Sequence, residues 1–582
     1  MIRIALIAMA LTVPMLQAEA IPAKRVPFTV TNSDGTQLTI MLCGDENYHF
    51  YATPDGVPVV QEENGDYRLA PELVDSISTS WTASSRKRTA SRAKRTAKIK
   101  ARRAFGYPSS YQGEKKGIVI LVNFKDLSMK STSTQATFSR MFNEEGYAEN
   151  NHIGSVHDYF YDQSYGTFNL TFDVLGPVTV SRNYSYYGQN DKDGMDTYPA
   201  TMVAEACRLA NTQYDIDWSD YDWDGDGEVD QVFVVYAGYG ENAGAPASTL
   251  WPHEFDLASA QYYYHDGSGS ILLDGCWINT YAISCELAGT RGSTLCGIGT
   301  ACHEFSHCLG FPDFYDTTYS GGFGMDAYSL MSSGSFNGAN YNGECPAGFS
   351  AYERWFAGWL DFKELSRPTT ITDMPCLGDT AVAYIIYNDG NRNEYFTLEN
   401  RQSERWYKYL GSTTGVHGIL VCHVDYDETV WLNNEPNSVP DHQRMSIIPA
   451  GKTFGTLKGT EGEMYYNVSA AVYRSQLFPG TKKVTTLDNT SHKTCGGQLF
   501  NQNTDGSYYM QKPITDITET NGLISFKFMG GGDTAIAGVP QAEGRAGESI
   551  YYRLDGTRIQ QPVRPGVYLV RQGETTRKIF IR

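Results

Sequence analysis

The stretch GTACHEFSHCLGFPD, residues 299–313, constrains the fold of this chain more than any other. Apolar residues recur in it at intervals of three and four, which predicts a helix with one buried face. His303 and His307 are four residues apart, so they lie one turn above the other on the remaining face. Two imidazoles in this arrangement supply two of the four ligands that Zn²⁺ prefers. Glu304 adjoins the first histidine and can reach a metal-bound water without binding the metal itself.

The residues that follow the helix extend this pattern. Gly310 stands where a helix would end with positive φ, and Asp313 comes six residues after His307. This is the spacing of HExxHxxGxxH, the metzincin pattern, with an aspartate in place of the third histidine. A carboxylate oxygen is an acceptable zinc ligand. Met331, in SLMSSG, matches the Met-turn that metzincins carry downstream.

We therefore predict a zinc site with a general base. HExxH also arises by chance on core helices, but chance does not explain the glycine, the aspartate and the methionine that follow it. The predicted zinc ligands are His303, His307 and Asp313, the predicted base is Glu304, and Met331 is the structural Met-turn.

The N-terminus reads as a secretory signal peptide. Residues 1–20 have a basic start at Arg3, an apolar middle and the small-residue cleavage site Ala18-Glu19-Ala20. The apolar run is too short to span a bilayer, and no later stretch is longer. We therefore expect a secreted or cell-surface protein without a transmembrane segment.

The charge of the chain is unevenly distributed. The total is −19, yet residues 86–103 hold ten Lys or Arg and no acid. An acidic body argues against nucleic acid as a partner. A solvated basic run is a good site for trypsin-like cleavage, which favours a removable pro-segment at residues 21–104. An inert linker and a polyanion-binding arm are the alternatives.

The predicted pro-segment contains groups that could enforce latency. Residues 21–85 alternate short apolar strands with turns, which indicates a small β-rich module. Cys43 and Asp45 offer a thiolate or a carboxylate that could replace the catalytic water. Cys43 also lies in an apolar strand pattern, so packing is the alternative role.

Residues 105–362 alternate strand and helix patterns, which predicts an α+β catalytic domain. Between a predicted helix and strand lies DWDGDGEVD, residues 222–230, with acids at positions 1, 3, 5 and 9 and glycine at 6 of an EF-hand loop. Position 12 is Phe233, so no complete EF-hand is present. We predict a structural Ca²⁺ site rather than a bare acidic turn. Its predicted ligands are Asp222, Asp224, Asp226, Glu228 and Asp230.

The C-terminal part is rich in strand patterns. Short strands and closely spaced turns over residues 363–532 predict a β-sandwich domain. A glycine-rich break precedes residues 533–582, which have a compact β pattern of their own and read as a separate tail.

Several of these stretches together resemble the immune-inhibitor-A (thuringilysin-like) metallopeptidases, which are metzincin-related exported bacterial proteases. The resemblance covers residues 115–460 and rests on segments such as DWDGDGEVDQVFVVYAGYGE, HEFSHCLGFPDFYD, SLMSSGSF and SAYERWFAGW. It implies an endopeptidase of protein substrates, with the zinc ligands and base named above and a stabilising calcium. Many metzincins carry a tyrosine two residues after the turn methionine, where this chain has Ser333. The tail is similar to C-terminal sorting modules, which implies contact with a secretion machinery.

Two other functions remain open at this point. A zinc- and calcium-binding adhesin or surface-binding protein would use the metal domain as a scaffold, but a scaffold does not need Glu304. An amidase or deacetylase could use the same metal, but it would not explain a pro-segment with a cleavable basic run.

Overall fold

The architecture is taken from a computed structural model of the full chain. The structure describes residues 21–73, 111–451, 469–491, 503 and 511–581, without positions 47, 55, 63, 193, 319–321, 323, 533, 537–548, 554–557, 560–565 and 573–574. The predicted signal peptide and the basic run 86–103 lie outside these residues.

The N-terminal module is a five-stranded antiparallel meander in the order β1-β2-β3-β4-β5. Its strands are β1 (Phe28–Thr31), β2 (Gln37–Asp45), β3 (Tyr48–Ala52), β4 (Pro58–Gln61) and β5 (Tyr67–Leu69). The turn between β1 and β2 contains Gly35 at a φ of 87°, a conformation that glycine adopts without strain. Only a small apolar core is available to this module, around Met41, Cys43 and Ala52.

The central region contains a five-stranded mixed sheet in the order β7-β6-β8-β12-β9. The strands of this region are β6 (Gly113–Asn123), β7 (Phe168–Thr179), β8 (Val232–Tyr239), β9 (His253–Asp256), β10 (Ile271–Leu273), β11 (Cys276–Ile278) and β12 (Thr280–Leu287). Strands β7, β6, β8 and β12 are parallel, and β9 is antiparallel to β12 at the edge. The central strands are near-continuous apolar runs because both faces of the sheet are covered.

Helices pack on both faces of this sheet. The α-helices of the described chain are α1 (Gln135–Asn143), α2 (Val156–Gln163), α3 (Tyr184–Gly188), α4 (Pro199–Gln213), α5 (Leu257–Ser259), α6 (Ile298–Cys308), α7 (Ala351–Phe356), α8 (Glu428–Leu432) and α9 (Ala470–Gln476). Ser155 and Ser350 begin α2 and α7 with capping boxes, which satisfy backbone N–H groups at the helix start. Two apolar cores are present in this region. One contains α6, and the other contains α4.

Two further sheets follow and share a core. Their strands are β13 (Lys363–Glu364), β14 (Thr369–Met374), β15 (Tyr384–Tyr387), β16 (Glu394–Arg401), β17 (Gly418–Asp425), β18 (Met445–Ile447), β19 (Ile514–Thr520), β20 (Leu523–Phe528) and β21 (Thr534–Ile536). The orders are β13-β15-β16-β17-β18 and β19-β20-β14-β21. Phe396 of the first sheet and Phe526 of the second lie in one core, as in a sandwich. Cys422 and Val424, elsewhere on β17, join the core that contains α6.

A small sheet ends the described chain. It contains β22 (Ser549–Arg553), β23 (Arg558–Ile559), β24 (Gly566–Gln572) and β25 (Thr575–Ile581), in the order β23-β22-β24-β25. The mixed α/β character expected of this chain is therefore confirmed. Among the described helices, none is both long and apolar enough to cross a membrane.

Candidate metal centre

The helix predicted to carry the metal site is α6, which begins at Ile298 and ends at Cys308. Its buried apolar residues face the core between the central sheet and the helices beneath it. Gly310 follows the helix with a φ of 91°, which turns the chain away from the helix axis. The chain then returns so that Asp313 lies beside the two histidines.

Three side chains converge at this point. The Nε2 atoms of His303 and His307 are 3.2 Å apart. Asp313 Oδ1 lies 3.2 Å from His303 Nε2 and 3.8 Å from His307 Nε2. All three side chains are fully buried. The structure therefore brings the three predicted zinc ligands together.

Hydrogen bonds fix which ring nitrogens face one another. His303 Nδ1 lies 2.8 Å from the Leu330 carbonyl oxygen, and His307 Nδ1 lies 2.9 Å from that of Phe311. A carbonyl can only accept, so each Nδ1 carries the proton and each Nε2 presents a lone pair. Burial lowers the pKa of His303, which favours this neutral form.

Two imidazole nitrogens and a carboxylate oxygen thus meet at one point. Asp313 Oδ1 has no hydrogen-bond partner within the described residues. Three buried acceptors at such distances repel one another unless a cation lies between them. Two histidine nitrogens and one carboxylate oxygen are a donor set that fits Zn²⁺ with one position open for water or substrate.

Asn434 orients the carboxylate ligand. Its Nδ2 donates to Asp313 Oδ2 at 2.7 Å, and its Oδ1 accepts from the Asp313 backbone N–H at 2.6 Å. This pair of bonds leaves Oδ1 of Asp313 directed at the histidines. Asn434 has a φ of 55° and follows α8, so it reaches the centre from the C-terminal side of the chain.

The predicted Met-turn lies against the same centre. Met331 is fully buried, and its carbonyl oxygen accepts from the Phe314 backbone N–H at 2.6 Å. The preceding residue, Leu330, supplies the carbonyl that orients His303. Ser333 points elsewhere, because its hydroxyl donates to Asp326 Oδ1.

Glu304 lies at the same helix turn and is also fully buried. Its Oε1 accepts from the Ile21 backbone N–H at 3.0 Å, whereas Oε2 has no hydrogen-bond partner in the described part of the chain. Burial holds the pKa of this carboxyl well above its usual range, and the N–H of Ile21 partly opposes that shift. A carboxyl group with a raised pKa is suited to hold a proton during a reaction.

Residues 21–24 cross the centre as an extended segment. The Trp251 indole N–H donates to the Ile21 carbonyl oxygen at 3.0 Å. Lys24 donates its backbone N–H to the Asn242 carbonyl oxygen at 2.9 Å and its ammonium to Asn342 Oδ1 at 3.1 Å. Ile21 is fully buried in this position. Residues 21–24 therefore cover Glu304.

The residues predicted for latency have other surroundings. Cys43 lies in the small core of the N-terminal module, and Asp45 Oδ1 accepts from the Tyr48 backbone N–H. Ile21 and Asn434 were not singled out from the sequence. The only sequence signal for Ile21 is its place directly after the predicted cleavage site at Ala20.

The acidic loop at residues 222–230 forms a second cluster. Carboxylate oxygens of Asp222, Asp224 and Asp230 lie within 4.8 Å of one another, and this group does not include Asp226 or Glu228. Asp222 accepts from the backbone N–H groups of two loop glycines, and Asp226 accepts from that of Glu228 at 2.9 Å. Oxygen-only ligands of this kind suit a hard cation such as Ca²⁺.

A helix with HExxH, whose two histidines lie beside a buried aspartate and a buried glutamate, is typical of metallopeptidases. Residues 110–360 match the catalytic domain of immune inhibitor A peptidase M6. This part of the chain is therefore similar to the catalytic domain of peptidase M6.

Two curated proteins illustrate the similarity. Pre-pro-metalloprotease PrtV of Vibrio cholerae is 28% identical over 304 residues, which are 45% of this chain and 32% of that protein. Immune inhibitor A of Bacillus thuringiensis is 25% identical over 276 residues, which are 41% of this chain and 39% of that protein. The matched part thus spans a third to two fifths of these relatives.

Proposed function

We propose that this chain is a secreted zinc-dependent endopeptidase made in a latent form. One observation carries the proposal: the Nε2 atoms of His303 and His307 and an oxygen of Asp313 converge beside Glu304. Digestion of a denatured protein such as casein, followed by mass spectrometry, tests it. Cleavage that a zinc chelator stops supports the proposal, whereas absence of cleavage after removal of the pro-segment contradicts it.

The residues divide the chemistry among them. A zinc ion held by His303, His307 and Asp313 would polarise the scissile carbonyl and make water more acidic. Glu304 accepts the proton of the attacking water on a carboxylate oxygen and donates it to the leaving amine. The buried surroundings of Glu304 exclude bulk water, which strengthens these charge interactions. The binding cleft runs where residues 21–24 now lie.

Latency follows from the same contacts. If signal peptidase cuts after Ala20, the nitrogen of Ile21 becomes an α-ammonium group beside Glu304 Oε1. A positive charge there would hold the base as a carboxylate salt and keep it from accepting a proton. We assign latency to residues 21–24 and not to Cys43 and Asp45, the residues that the sequence suggested. Cleavage within the basic run, residues 86–103, would then release the module.

Replacement of Asn434 by alanine is expected to weaken zinc binding without unfolding the protein. The change removes both hydrogen bonds that orient Asp313, and loss of such partners costs roughly 10–100-fold in metal affinity. Competition with a chromogenic zinc chelator measures the affinity, and Asn433→Ala serves as the neighbouring control. An unchanged zinc affinity in Asn434→Ala would contradict a role of Asn434 in holding Asp313 for the metal.

Calcium is proposed for the loop at residues 222–230, with Asp222, Asp224 and Asp230 as ligands and Asp226 and Glu228 in support. Calcium at 100 times its dissociation constant should stabilise the chain by about 2.7 kcal/mol. Asp224→Asn should remove most of this gain, since it deletes one ligand charge. Thermal unfolding with calcium and with a calcium chelator measures the effect. Equal calcium stabilisation of parent and variant would contradict the assignment.

A binding protein that uses the zinc domain as a scaffold is the second candidate. A scaffold gains nothing from a buried carboxyl with an unpartnered oxygen such as Glu304 Oε2, because burying such a group is costly. We therefore favour the peptidase. The tail at residues 533–582 remains proposed as a module for a secretion machinery, and the domain boundaries at 104, 362 and 532 remain proposals with it.

A further inference from the structure

An acidic group of side chains lies beside Trp251, next to the residues that cover the base. Glu241 Oε1 lies 3.2 Å from His49 Nε2 and accepts from Asn190 Nδ2 at 3.0 Å. The His49 ring stacks on the Trp251 ring with centroids 5.0 Å apart. The N-terminal module therefore places a histidine of its own against Glu241. Burial lowers the pKa of His49, but the hydrogen bond and charge of Glu241 and the carbonyl of Asp45 raise it above its usual value.

Asp196 completes this group. Its Oδ2 accepts from the Trp251 backbone N–H at 2.7 Å, while Oδ1 is buried and has no hydrogen-bond partner among the described residues. Burial, followed by the charge of Glu241, raises the pKa of Asp196 well above its usual range. A buried carboxylate oxygen without a donor carries a free-energy cost that a suitable ligand would remove.

The group lies directly beside the cleft. Trp251 links the two, because its indole N–H donates to the carbonyl of Ile21, whose own N–H reaches Glu304. The antiparallel edge strand β9 begins two residues after Trp251, at His253. An extended peptide bound in place of residues 21–24 would therefore pass Asp196 and Glu241 within a few residues of the scissile bond.

A cavity of about 40 Å³ continues from Asp196. Asp266 and Tyr281 line it, together with Glu46 of the N-terminal module, and none of the described residues that line it is a lysine or arginine. His253 also lines it, and burial lowers the pKa of this histidine to about 4, so it adds no positive charge near neutral pH. Removal of the N-terminal module takes away both His49 and Glu46. The acidic side chains of Asp196 and Glu241 then remain beside the ring of Trp251.

We propose that Asp196, Glu241 and Trp251 form a specificity subsite that takes a lysine or arginine side chain of the substrate. In the precursor His49 occupies part of this subsite. The inference rests on the proposed peptidase function and narrows its substrate class. Carboxylates bind such cations through charge-assisted hydrogen bonds, and the face of an indole ring attracts them as well.

The reach of the cationic side chain distinguishes a substrate subsite from a contact that only anchors the pro-segment. His49 reaches Glu241 and leaves Asp196 Oδ1 without a donor. Lysine carries three donors and arginine five on longer side chains, so either has a donor for each carboxylate. The basic run of the chain, residues 86–103, offers ten such side chains. A second copy of this chain is therefore one substrate of the required class.

The test uses the full chain, activated by immobilised trypsin that is then removed and inhibited. Cleavage positions in denatured casein are mapped by mass spectrometry for the parent, Glu241→Gln and Asp196→Asn. Glu304→Ala, treated in the same way, gives the background from residual trypsin, and Glu205→Gln controls for loss of a carboxylate elsewhere. Glutamine at 241 can still accept from Asn190, and asparagine at 196 from Trp251, so both variants keep these backbone and side-chain contacts.

The parent should cut with lysine or arginine enriched at one fixed position within three residues of the scissile bond. Either variant should lower the rate for those peptides roughly tenfold relative to peptides with methionine or glutamine there. If the parent cuts no more than Glu304→Ala, the proposed peptidase function fails. If the parent cuts without such enrichment, or if both variants keep it, the subsite is wrong. Faster release of the pro-segment by Glu241→Gln with unchanged specificity would also overturn the proposal.

Discussion

Replacement of Glu304 by alanine should lower the rate of peptide-bond cleavage by roughly 10²–10⁴-fold, the contribution typical of a positioned general base. The Glu304 carboxylate lies beside the two histidines, and its Oε2 has no hydrogen-bond partner in the described chain. Zinc content should stay at the parent level, because the three proposed ligands remain. Steady-state cleavage of an internally quenched peptide and metal analysis of the same sample measure both quantities.

A matched control separates chemistry from folding. Glu114→Gln alters an exposed carboxylate on β6, distant in sequence from the centre, and should leave the rate unchanged. Both variants should unfold at temperatures close to that of the parent. If Glu304→Ala cleaved peptides at the parent rate, another group would be the base and the proposed mechanism would be wrong.

Deletion of residues 21–24 should activate the precursor without any cleavage of the basic run. Four hydrogen bonds join Ile21 and Lys24 to residues of the catalytic region. At about 1 kcal/mol each, their loss would weaken closure of the cleft by roughly 10³-fold. The measurement is peptide cleavage by the purified precursor, with mass spectrometry to verify that residues 86–103 remain intact.

The double variant Cys43→Ala, Asp45→Ala tests the earlier hypothesis in the same assay. It keeps residues 21–24, so we expect it to cleave peptides no faster than the parent precursor does. If the double variant cleaved peptides and the deletion variant did not, Cys43 or Asp45 would be the residue that enforces latency.

The metal helix could be predicted because its information is local. Spacing of four residues places His303 and His307 on one face in any α-helix, and a glycine with positive φ turns the chain back so that Asp313 can join them. Alternating helix and strand patterns likewise predicted the mixed character of the region around this helix. These predictions depend on contacts between residues that are near in sequence.

The covering of the site could not be predicted, because it depends on contacts between distant residues. Ile21 lies 283 positions before Glu304, and Asn434 lies 121 positions after Asp313. The periodicity of apolar residues does not predict which segment of one module packs against another module. Asn434 also shows that the region predicted as a separate β-sandwich domain contributes directly to the metal centre.

Zinc K-edge X-ray absorption on the purified full-length precursor tests the central claim most directly. Our account predicts one zinc per chain, with two imidazole nitrogens and light-atom oxygen or nitrogen neighbours at about 2.0–2.2 Å. His307→Ala should lose one imidazole contribution from the spectrum. A sulfur neighbour at about 2.3 Å would instead place a cysteine thiolate on the metal. That result, or a spectrum unchanged in His307→Ala, would contradict the proposed ligand set of His303, His307 and Asp313.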